Sequence, residues 1–91
     1  MTCVGPAFVP RLARRARLRF DRLEGRRMIL YPERGLLLNE SGGAIAAMCD
    51  GKRSAGEIAA ALAQALGAER RVVERDVLKF LGEHTARGVL E

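Results

Sequence analysis

The hydrophobic period of this chain changes at Asn39. Upstream, apolar residues alternate or stand in runs too short for a helix; downstream they recur at three- and four-residue steps almost to the C-terminus. Strands first and helices afterwards is an α+β order, and it lacks the strand–helix alternation of a parallel sheet. With 91 residues there is room for one small core and little for an enclosed active site.

In "RLRFD", residues 17–21, Leu18 and Phe20 point one way while Arg17, Arg19 and Asp21 point the other, which is a half-buried strand. A turn through Glu24 and Gly25 leads to "MILY", residues 28–31, apolar on both faces and closed by Pro32. "PERG" is turn chemistry, and Leu36, Leu37 and Leu38 form a third strand with Leu36 and Leu38 on one face and Leu37 on the other. Short turns make an antiparallel meander the simplest arrangement, with strands 1 and 3 as its edges.

Asn39 or Ser41 can cap a first helix, whose stripe is Ile45, Met48 and Cys49 and whose C-terminal cap is expected at Gly51. Ser54 and Glu57 have the spacing of a capping box for a second helix, with Ile58, Leu62 and Leu66 as its buried stripe and Gly67 as its end. The third runs from about Glu69 to about Arg87, with Val73, Val77, Phe80, Leu81 and His84 on one face, Leu78 well off it, and Arg75 and Lys79 toward solvent. The expected architecture is a three-stranded antiparallel meander followed by three helices, winged-helix-like. Residues 1–15, with Pro6 and Pro10 and no sustained period, read as a flexible arm before a single domain at 16–91.

The net charge of +5 points to an acidic partner, but the excess is local: five arginines fall at positions 11–19, and no acid precedes Asp21. No apolar run is long enough to span a membrane, and the N-terminal stretch lacks the pattern of a secretory or transit signal, so a cytoplasmic location is expected. Cys3 and Cys49 have no second Cys or His at ligand spacing; Cys49 reads as a small buried hydrophobe and Cys3 as a terminal thiol. One histidine, no nucleophile elbow and no phosphate loop leave no catalytic or metal site to name, so the chain reads as a non-enzyme without a cofactor. His84 reads as a core histidine with one hydrogen bond.

Two binding modes stay open. A helical pair with a basic balance suits a small winged-helix DNA-binding protein. The third helix, however, sets Arg70, Arg71, Arg75, Lys79 and Arg87 against Glu69, Glu74, Asp76 and Glu83, and phosphate recognition wants one sign. Alternatively, residues 35–38 carry neither charge nor proline, the usual protection of an edge strand. Either a helix or a second copy covers Leu37, or an incoming peptide pairs with this edge by β-augmentation.

"PERGLLLNESGGAI", "CDGKRSAGEI" and "ERDVLKFLGEHTARGVL", in that order and spacing, resemble the PqqD family of pyrroloquinoline quinone biosynthesis over residues 17–91. The resemblance implies a cofactor-free peptide chaperone, a recognition element that binds the precursor PqqA along strand 3 and the last helix and presents it to the radical SAM enzyme PqqE. It places Leu36, Leu37, Leu38, Arg75, Leu78 and Lys79 at the peptide, and it leaves Glu33 and Asp76 as caps, partners of arginines, or contacts to PqqE. A homodimer formed by exchange of the arm or the first hairpin is a further expectation. Gly42 and Gly43 stand where bulkier residues are expected, at about 1 kcal/mol each in helix propensity.

Overall fold

The computed structural model describes residues 4–30 and 35–91. Residues 31–34, with Glu33, and Cys3 lie outside the described residues. Three strands, β1 (Arg17–Asp21), β2 (Arg26–Leu30) and β3 (Gly35–Leu37), precede three helices, α1 (Glu40–Ala47), α2 (Ala55–Leu66) and α3 (Arg70–Ala86). The sheet is an antiparallel meander in the order β1-β2-β3, as the change of period implies. β2 begins two residues earlier than its apolar run, because Arg26 and Arg27 stand opposite Asp21 and Phe20. β3 sits one residue earlier than expected, although the Leu38 N–H still donates to Arg27.

One face of the sheet carries Ile29, fully buried, with Leu18 and Leu36 beside it, and packs on α1 through a cluster of Ala16, Ile29, Leu38, Ala46 and Val89. The larger cluster joins the helices through Ile45, Ile58, Leu62, Val77 and Leu81, and Phe80 packs against both. Each fully buried aliphatic side chain contributes about 1.5–3 kcal/mol relative to exposure.

The glycine pair in α1 now has a reason. A Cβ on Gly42 would stand 3.1 Å from the Phe80 ring, and one on Gly43 3.2 Å from the stem of Arg27. Close approach of α1 to α3 and β2 offsets the propensity cost. Asn39, rather than Ser41, caps α1, its Oδ1 accepting the Gly42 N–H at 2.7 Å. Gly51 is not the C-cap. The helix ends at Ala47 with Met48 as its cap, while Gly51, at φ 77°, lies in the following turn and donates to Pro10.

The Ser54–Glu57 capping box is fully formed, and Gly67 ends α2 in the left-handed conformation. Leu66, expected on the buried stripe, is 69% exposed at the last residue of α2. His84 is buried, its ring stacked on Phe80 and its Nδ1 2.8 Å from the Phe80 carbonyl.

Residues 4–15, expected to be a loose arm, are laid along the domain instead. Phe8, Pro6 and Pro10 carbonyls accept the N–H groups of Ala55, Gly56 and Gly51, and Arg11 exchanges two backbone bonds with Glu91. Val4, Phe8 and Leu12 cover the helical core, and Pro10 is fully buried. The "GVLE" terminus is structural too. Val89 and Leu90 are core residues, and Leu90 bridges Leu12. Non-local pairing of two chain ends leaves no period in sequence, which is why the pattern missed it.

Candidate functional site

β3 has a neighbour on one side only among the described residues. Because Leu38 and Arg27 are a bonded pair, antiparallel alternation makes Leu36 and Ile29 the next one. The N–H and C=O groups of Gly35 and Leu37 therefore point away from β2, along the free edge. The side chains alternate as the sequence required: Leu36 is half-buried, Leu37 is 39% exposed and Leu38 is 4% exposed. Among the described residues no helix packs on Leu37, which belongs to neither apolar cluster. On its face stand Met28, directly opposite, and Leu30, with Arg19 and Arg17 one strand further. Gly35 leaves space there that the Met28 methyl fills.

Just past β3 the chain enters a cleft of about 550 Å³ lined by Ala44, Ile45, Leu62, Leu66, Val73 and Val77, with Asn39, Glu40, Ser41 and Asp76 also on its walls. That volume lies within the roughly 300–1,000 Å³ usual for ligand sites. Asn39 is two residues from Leu37, so edge and cleft are neighbours.

The flank of α3 turned toward α1 and β3 is identified by Phe80 against Gly42 and by Asp76 in the cleft wall. At about 100° per residue, Asp76 lies some 40° from Phe80, whereas Lys79 lies about 100°, Arg75 about 140° and Leu78 about 160° away. The structure thus gathers Leu36 and Leu38 with Phe80 in one cluster, leaves Leu37 on the opposite face of the sheet, and puts Asp76 in the cleft wall. It sets Arg75 and Lys79 in solvent on other flanks, and packs Leu78 against the helical core. Asp76 is exposed and in no ion pair among the described residues.

Displaced ionisations belong to structural groups. Burial, then Asp50, pushes the Cys49 thiol up to about 12, and its Sγ donates to the Ile45 carbonyl. The Lys52 N–H holds Asp50 below the usual carboxylate range, and the Ser54 N–H does so for Glu57. Among the described residues no group of three or more His, Cys, Asp or Glu is placed to hold a metal ion.

Sequence reasoning found the open edge but not the cleft, whose walls come from three helices. Leu66, apolar at the exposed end of α2, was the available signal.

A meander edge beside a helical groove is also the architecture of a solved peptide-recognition domain. The solution structure of the PqqD truncation of Methylobacterium extorquens PqqCD, described as a functional and stand-alone recognition element for ribosomally synthesized and post-translationally modified peptides, superposes with a TM-score of 0.88. It is 34% identical and covers 99% of this chain and 96% of that one. The family model described as coenzyme PQQ synthesis protein D matches residues 26–90, and the chain belongs to the PqqD family.

The PqqA binding protein of Rhodopseudomonas palustris strain TIE-1 is 41% identical over 81 residues, covering 89% of this chain and 79% of the relative. The bifunctional coenzyme PQQ synthesis protein C/D of Methylorubrum extorquens is 36% identical over 83 residues, 91% of this chain but 22% of that protein's length. The relatives named for PqqA and the solved recognition element are described by binding, not by a reaction. Among the described residues no helix is long and apolar enough to cross a membrane.

Proposed function

We propose that the chain binds the precursor peptide PqqA as a fourth strand on β3 and, without catalysing a step itself, presents it to PqqE. The observation that carries this reading is the free edge at Gly35 and Leu37, with its outward backbone groups and the exposed Leu37 side chain. An added strand satisfies those groups, covers Leu37 and Leu36 with alternate side chains, and runs beside Leu38 toward the cleft. Arg75 and Lys79, exposed on other flanks of α3, are then left for the enzyme that receives the peptide. An exchange dimer would form the same Arg11–Glu91 bonds between copies, and sedimentation at two concentrations tests it.

The main test is an NMR titration with synthetic PqqA and, separately, a random DNA duplex at two salt concentrations. Saturable shifts at Gly35, Leu37 and Asn39 with PqqA alone are expected. Shifts confined to residues 11–19 with DNA, collapsing as salt rises, would replace this reading with nucleic-acid binding.

A further inference from the structure

We propose that the cleft beyond β3 is a second, cation-selecting subsite for the bound peptide: an apolar side chain enters it, and a neighbouring Lys or Arg of the peptide meets Asp76 and Glu40. This inference rests on the β3 reading and extends it from backbone pairing to side-chain choice.

Position comes first. The cleft starts at Asn39, two residues after Leu37, so a strand paired with Gly35 and Leu37 and continued past that end arrives at its mouth. Its interior is supplied by Ala44, Ile45, Leu62, Leu66, Val73 and Val77. Leu66 is 69% exposed at the mouth, a large apolar side chain left in water in a helix that otherwise buries its apolar stripe.

Charge then selects the neighbour. In a chain of net charge +5, the cleft lining contains Glu40 and Asp76 and neither Lys nor Arg. Both carboxylates are exposed, and neither takes part in an ion pair among the described residues; the pairs there are Arg11–Glu91, Arg53–Asp50 and Arg70–Glu74. The rim of the cleft is therefore acidic on a chain that is basic as a whole, which suits a cation better than the acidic residues that the arginines of β1 would attract. Asn39 does not compete for that cation, because its Oδ1 already accepts from the Gly42 N–H and the Ser41 hydroxyl. Discrimination thus resides in two rim carboxylates, while the apolar interior supplies contact area without choosing the sequence.

The test is isothermal titration of the full chain with PqqA at low and high salt, comparing wild type with Asp76→Asn, Asp76→Lys, Glu40→Gln and Leu37→Asp. Expected are a loss of up to about fivefold for each neutral variant, a loss of roughly tenfold or more for Asp76→Lys, and convergence of the carboxylate variants with wild type as salt rises. Amide shifts at Ala44 and Val73 on binding report occupation of the cleft. Unchanged or tighter binding by Asp76→Lys, with Leu37→Asp still weakening binding about thirtyfold or more, overturns the subsite and leaves the β3 reading standing. If wild type fails to bind PqqA, or Leu37→Asp binds like wild type, the β3 reading fails and the subsite with it.

Discussion

The two edges of this one sheet are built on opposite terms. β1 presents Arg17, Arg19 and Asp21 over five residues, and Arg17 folds back to donate to the Arg14 and Ala16 carbonyls. β3 is Gly-Leu-Leu, three residues without a charge, with Leu37 bare on the outer face. Charged side chains on an edge oppose pairing with a stray strand, and their absence invites it. A third extended segment shows how the chain closes an edge when it has the means: Arg11 is bridged to Asp50 on one side and bonded to Glu91 on the other. Among the described residues β3 is thus the edge strand left both unpaired and uncharged.

Adjacent residues of β3's run give the largest contrast. Leu38→Asp places a charge among Ala16, Ile29, Ala46 and Val89, and no cooperative thermal transition is expected. Leu37→Asp, one residue earlier, keeps the fold by circular dichroism and costs about 2 kcal/mol or more in PqqA binding, some thirtyfold in Kd. Equal effects of the two on folding would mean that the strand faces are assigned wrongly.

Removing the protection of the other edge sharpens the comparison. Arg17→Val with Arg19→Val is expected to give concentration-dependent association in sedimentation, and wild type, with both arginines in place, is expected to give none through this edge. A monomer at all concentrations would show that charge is not what keeps β1 alone.

Ser54→Ala touches neither edge. Loss of the capping box is expected to cost about 1 kcal/mol, lowering Tm by about 4–8 °C, with PqqA affinity unchanged. Acid has a related effect. Asp50 and Glu57 have folded values below their ordinary 3.8 and 4.5, so the unfolded chain binds more protons in that window. Their contribution is present above those values and is lost as pH falls through the lowered ones; urea melts should show a shallower acid decline for Glu57→Gln.

The smallest effect is chemical. With its thiol at about 12, Cys49 in a Cys3→Ser background should resist alkylation at pH 8 until the protein unfolds. Rapid labelling in the native state would show that the strap over the helical core opens.

Much of this was legible in residue order. Period two in 17–21, the leucine run, the Ser54–Glu57 box and the stripe through Val73, Val77 and Leu81 are local patterns that each report one element, although on β1 the expected inner face is covered only at Leu18 while Phe20 is 62% exposed. Element ends were less legible: Gly51 looks like a helix stop, yet α1 ends at Ala47, because the segment after it turns to meet Pro10.

By itself, then, the sequence determined the order of strands and helices, the faces of Leu36, Leu37 and Leu38, the uncharged β3 edge and the absence of an evident catalytic set. Only the tertiary structure decided that residues 4–15 form a strap, that Val89 and Leu90 are core, that Phe80 packs with Leu36 and Leu38 while Leu78 packs on the helical core, and that Glu40 and Asp76 share a cleft. The first group depends on neighbours within a few residues, where backbone periodicity fixes which side chains share a face. The second depends on which distant segments meet, and that is settled by the packing of whole elements rather than by any pattern along the chain.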